Sequence, residues 1–122
     1  GGFVLGISPT RNQKEHTKEY GKPLDGCSEI MWTGGGYTGR NYLNIRNCDM
    51  AIFVGGEYGT LEEFCIAVYE SRVIGVLKGS GGVSDMIKKI VAVCPTDHDA
   101  IVLYATDPEK LISSVIDEYN KR

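Results

Sequence analysis

Five short apolar runs separated by helical patterns constrain this chain more than any other feature. The runs at Phe3–Ser8, Glu29–Thr33, Met50–Gly55, Val73–Leu77 and Ala100–Ala105 are near-continuous rather than alternating, as strands covered on both faces read. Between them, Leu61, Phe64, Cys65, Val68 and Tyr69 recur at helical spacing and give one apolar stripe. Met86, Ile87 and Ile90 mark a shorter helix after Ser84 and Asp85, and a weaker pattern covers Gly39–Asn47. The last helix has the clearest start. Asp107 caps it, Pro108 takes the first helical position, and Leu111, Ile112, Val115, Ile116 and Tyr119 share a face. Strand and helix in alternation imply an α/β fold of βαβ units. The expectation is a Rossmann-like parallel sheet of about five strands with helices on both faces and ligands at the strands' carboxyl ends. At 122 residues the chain is sized for a single domain, 1–122. The polar stretch Pro9–Asp25 shows no periodicity and reads as a long loop.

Glycine marks where a ligand would sit. The 16 glycines are roughly twice the usual share. They cluster at Gly34-Gly35-Gly36, at Gly55-Gly56 with Gly59, and at Gly79 with Gly81-Gly82. The central cluster follows an apolar run and opens a helical pattern. Small residues there let the backbone approach a ligand, and a helix start offers N–H groups to anions. Gly56, Glu57, Tyr58, Gly59 and Thr60 are therefore candidate phosphate-binding residues. The loop is neither a Walker loop nor G-x-G-x-x-G. Structure alone offers a second reading of the same residues. Thr60-x-x-Glu63 has the spacing of a capping box, and Glu62 complements the helix dipole. Glu57, Glu62 and Glu63 would also repel a phosphate unless a cation intervened.

Other candidates have plainer alternatives. Gly79-Ser80-Gly81-Gly82 reads as a phosphate loop or as a simple turn before a capped helix. Asp97-His98-Asp99 reads as a solvated turn. Trp32 and Tyr37 flank the first glycine cluster and suit stacking on a base, although Trp32 at a strand end also suits a core.

Gly55-Gly56-Glu57-Tyr58-Gly59-Thr60-Leu61-Glu62-Glu63 resembles the P-G-G-x-G-T-x-x-E motif of the LOG family, cytokinin-activating nucleoside 5′-monophosphate phosphoribohydrolases often labelled lysine decarboxylases. Gly56, Gly59, Thr60 and Glu63 match. Gly55 stands where the family has Pro, and Glu57 stands at its second Gly. The family's M-H-x-R-K segment aligns Arg40 with its Arg and Arg46 with a second one, while Tyr37, Thr38 and Asn41 replace its Met, His and Lys. Gly2-Phe3-Val4-Leu5-Gly6-Ile7-Ser8-Pro9 is similar to the family's third strand, G-x-V-I-G-x-x-P. The resemblance thus implies a domain lacking the family's first two βα units. It also implies cleavage of the N-glycosidic bond of a nucleoside 5′-monophosphate to base and ribose 5-phosphate. Arg40 and Glu63 would be catalytic: the carboxylate serves an oxocarbenium-like state and the guanidinium orients substrate. The family's homodimer would here bury the apolar sides of helices near 39–47 or 61–72.

Composition narrows the partners. A net charge of −3, a pI near 5.3 and scattered Lys and Arg give no footprint for a nucleic acid polymer or a membrane surface. No apolar run approaches the roughly 20 residues of a membrane span. Cys27, Cys48, Cys65 and Cys94 form no C-x-x-C and lie apart from His16 and His98. No metal site and no cofactor are expected, and reduced cysteines fit a cytoplasmic location. Three readings stay open: a phosphoribohydrolase, a nucleotide-binding or sensor module without turnover, and an oligomer-forming scaffold.

Overall fold

The computed structural model describes residues 2–94 and 98–122. Asp97, part of the expected Asp97-His98-Asp99 turn, lies outside the described residues. The chain divides into two units, Gly1–Asn44 and Ile45–Arg122. The five strands of the described residues all pair in parallel. They form one sheet of two strands and one of three, where the sequence suggested a single sheet.

In the first unit, β1 (Leu5–Ser8) pairs with β2 (Glu29–Trp32) from Leu5↔Glu29 to Ser8↔Trp32. The stretch expected as a loop contains a helix, α1 (Gln13–Glu19). The missed signal is local. Asn12 caps it by accepting from the Glu15 N–H at 3.0 Å, and Glu15 Oε2 accepts from the Arg11 N–H at 3.0 Å. These are reciprocal caps of the kind that start helices too polar to show an apolar stripe. The helix buries His16, whose ring nitrogens meet Ser8 Oγ at 2.8 Å and the Lys22 carbonyl at 3.2 Å. A nitrogen facing a carbonyl must donate, so in the neutral ring Nδ1 accepts from the Ser8 hydroxyl. Polar bonds thus tie α1 to β1, which is why no hydrophobic period announced it. Helix α2 (Gly36–Arg46) begins three residues earlier than its pattern suggested.

The second unit holds β3 (Met50–Phe53), β4 (Val73–Leu77) and β5 (Ile101–Ala105) in that order, with β4 central. Helix α3 (Tyr58–Tyr69) joins β3 to β4. A 3-10 turn over Gly82–Asp85 and helix α4 (Ile87–Val93) precede β5. Side chains alternate across this sheet as the pleat requires. Ala51, Phe53, Ile74 and Val76 pack with Phe64, Ala67 and Ile87 on one face. Val73, Leu77 and Leu103 pack with Leu111 and Val115 of α5 (Pro108–Tyr119) on the other. Burial on both faces accounts for the unbroken apolar run at β4. Helix α5 starts as its sequence indicates: Pro108 is in the first turn and Asp107 accepts from the Lys110 N–H at 2.9 Å.

Gly75 sits where α5 comes closest to β4. A Cβ there would lie 2.7 Å from Ile52 Cδ1 and 2.8 Å from Val115 Cγ2. Gly75→Ala should therefore destabilise the protein by about 1–3 kcal/mol, as overpacked cores do. A denaturant titration measures this, and an unchanged midpoint would contradict the packing described.

Candidate functional site

The central glycine turn follows β3. Gly55 (φ +59°) and Gly56 (φ +91°) occupy the left-handed region that side chains disfavour. A Cβ on Gly56 would also overlap Thr60 Oγ1. These two residues swing the chain so that α3 starts at Tyr58, with Glu57 extended as the N-cap (φ −127°, ψ −151°). The first turn closes through the Leu61 N–H and the Glu57 carbonyl at 3.1 Å.

This start corrects the capping-box reading. Thr60 is the third residue of the helix and Glu63 lies in its second turn, so neither caps it. Glu57, at the N-cap, makes no side-chain cap bond. The sequence misled because Gly59 looked like part of the turn, whereas it already belongs to the helix. The N–H groups at the start of a helix have no partner within it. Here they belong to Tyr58, Gly59 and Thr60. Tyr58 and Gly59 are exposed and Thr60 is half-buried.

The third glycine cluster clamps this turn, a role that neither sequence reading assigned to it. The Gly55 N–H donates to Ser80 Oγ at 2.9 Å, and the Ser80 hydroxyl donates to the Leu77 carbonyl at 2.6 Å. The Ser84 hydroxyl donates to the Gly55 carbonyl at 2.8 Å, and the Val83 N–H donates to the Gly56 carbonyl at 2.9 Å. Gly82 must be small, since a Cβ there would overlap the Gly56 carbonyl oxygen. Ser84 is buried. Its type and spacing after Gly82 were the signal available in the sequence.

Glu62 and Glu63 are half-buried and Glu57 is exposed. Burial holds the Cys48 thiol above its usual pKa, with Arg72 opposing and the charges of Asp49 and Glu63 adding to the shift.

Arg40 belongs to the first unit, on α2, and is half-buried. Its Nε is buried without a hydrogen-bond partner among the described residues. Its guanidinium carbon lies 6.0 Å from the centroid of the Tyr37 ring, within cation–π range. Tyr37 is exposed and meets Tyr20 edge-on at 5.1 Å. Trp32 is half-buried and packs edge-on against His16 at 5.9 Å, a core role. Arg46 Nη1 donates to both carboxylate oxygens of Glu70 at 2.8 and 2.7 Å, and the Arg46 carbonyl accepts from Arg72 at 3.1 Å, all within the second unit.

The profile of the SLOG cluster4 family matches residues 1–112. The chain belongs to that family. The wider SLOG superfamily includes LOG, in line with the resemblance read at Gly56–Glu63. No curated protein matches the chain. Two solved structures are similar to this SLOG cluster4 chain. The X-ray structure of TM1055, a structural-genomics target, is 23% identical with a TM-score of 0.76, over 97% of this chain and 65% of that one. A molybdenum cofactor binding protein from the phototrophic bacterium Rippkaea orientalis is 26% identical with a TM-score of 0.67, over 94% of this chain and 63% of that one. The chain therefore spans just under two-thirds of either structure's length. Its fold is the Rossmann-like α/β arrangement expected. Among the described residues, no helix is long and apolar enough to cross a membrane.

The uncapped start of α3 has a measurable consequence. Glu57→Ser supplies the missing cap and should stabilise the protein by about 0.5–1 kcal/mol. Thermal or denaturant unfolding reads this directly. A loss of stability would show that Glu57 already fills that role.

Proposed function

We propose that this SLOG cluster4 domain binds a purine nucleotide, with the phosphate on the backbone of Gly56, Glu57, Tyr58, Gly59 and Thr60. The observation that carries the reading is a helix start held rigidly by the Ser80 and Ser84 clamp yet lacking a side-chain cap. Such a start leaves its first-turn N–H groups to an anionic ligand. Membership of the family and the LOG-like neighbours support a nucleotide-related binding function. The neighbour from Rippkaea orientalis is a molybdenum cofactor binding protein. That a protein of similar fold binds a small ligand supports binding as the primary role.

Hydrolysis is the second reading. Glu63 lies half-buried in the second turn of α3, and Arg40 carries a buried Nε without a hydrogen-bond partner among the described residues. In this reading Glu63 stabilises positive charge developing on the ribose and Arg40 orients the substrate.

Adenosine 5′-monophosphate separates the two. Under the hydrolase reading Glu63→Gln abolishes release of adenine and leaves nucleotide affinity nearly unchanged, while Arg40→Ala weakens both. Under the binding reading the wild-type chain binds the nucleotide and releases no base. Calorimetry with chromatography of the products measures both quantities. Failure to bind any purine nucleotide at millimolar concentration would discard both readings.

A second copy of the chain is the proposed partner. The exposed apolar side chains Ile112, Ile116 and Tyr119 form a stripe on α5. They add α5 to the helices near 39–47 and 61–72 that the sequence suggested for this interface. Light scattering should show a dimer that Ile116→Glu dissociates. A wild-type monomer at high micromolar concentration would contradict this.

A further inference from the structure

The second unit contains an open surface groove of about 540 Å³ that the glycine-turn reading does not use. Lys78, Gly79, Asp85, Lys88, Lys89 and Tyr104 line it, together with Ser84 and Ala92. The volume is that of a small-molecule site. None of Gly56–Thr60 is among its lining residues, so it is distinct from the turn discussed above.

Its charge is unusual for this protein. Three exposed lysines line one groove in a chain whose net charge is −3. None of the three has an ion pair or a side-chain hydrogen bond among the described residues. The one carboxylate in the wall is already engaged: Asp85 accepts from the Gly79 N–H at 2.6 Å and from the Gly81 N–H at 3.0 Å. Three like charges beside a single carboxylate repel, and an anion entering the groove relieves that repulsion. Burial also pushes the Tyr104 hydroxyl above its usual pKa, so it stays protonated and able to donate.

We infer that this groove binds a phosphate monoester of a small organic molecule. Three ammonium groups and one aspartate leave two positive charges, which match a monoester near its dianionic state at neutral pH, about −1.5 to −2. A single phosphate fills only part of the volume. The remainder, walled by Ala92 and the ring of Tyr104, holds the organic part of the ester.

Glycerol 3-phosphate tests this in the full chain, with backbone amide NMR as the readout and glycerol and inorganic phosphate as controls. The expected result is saturable shifts at Gly79, Lys88 and Lys89 with the ester and none with glycerol. The double variant Lys88→Gln/Lys89→Gln should weaken the ester by about tenfold or more, as loss of charge-assisted bonds does. Removing the same charge elsewhere, by Lys110→Gln/Lys121→Gln, should leave affinity unchanged. Absence of saturable shifts at these amides, or equal weakening by the two double variants, would overturn the site. Inorganic phosphate binding as tightly as the ester would overturn the assignment to an ester. Nucleotide binding is read separately at the amides of Tyr58 and Gly59, so either proposal can fail without the other.

Discussion

The second unit is organised by the hydrogen bonds between Gly55 and the two serines of the loop after β4. Both polar groups of the Gly55 backbone are taken, the N–H by Ser80 and the carbonyl by Ser84. A strand end that would otherwise fray is thus fixed in a left-handed turn, and α3 departs from it at one angle. The arrangement requires glycine where carbonyls and side chains crowd, at Gly56 and Gly82. It also requires a short hydroxyl at Ser84, which is buried within bonding distance. Two glycine clusters far apart in sequence are halves of one device.

That device explains what the sequence disclosed and what it concealed. The strands of the second unit were legible because burial on both sheet faces leaves an unbroken apolar run, most plainly at Val73–Leu77. Helix α5 was legible because its cap, its proline and its apolar face all agree. The start of α3 was not. Thr60 and Glu63 have the spacing of a capping box, and nothing local shows that Gly55 and Gly56 bring the chain into the helix sooner. The clamp involves contacts across 25 and 29 positions, beyond the reach of local patterning. In the first unit α1 escaped for the opposite reason. Its stabilising contacts are local but polar, running from Asn12 and Glu15 at its start to His16 against Ser8.

The candidate site was legible in its residues and less so in their roles. Gly56, Gly59, Thr60 and Glu63 stand out by type and spacing, but the motif does not say which act through backbone and which through side chain. In the structure, Gly56 is small because Thr60 packs against it, and the offer to an anion comes from amides at the helix start. The two arginines on α2 likewise differ by surroundings alone. Arg46 is committed to Glu70 through both carboxylate oxygens. The Arg40 Nε is buried without a hydrogen-bond partner among the described residues, and its charge lies near an exposed ring. No spacing rule separates them, because the difference is made by Glu70 and Tyr37 in three dimensions.

The loop over residues 79–85 carries a further consequence. It presents its serine hydroxyls to the glycine turn and its Gly79 and Asp85 to the lysine-lined groove. An anion drawn in by Lys88 and Lys89 would compete for the field that Asp85 now feels, and Asp85 fixes the Gly79 and Gly81 amides of that same loop. The segment that sets the angle of α3 is therefore one wall of the charged groove.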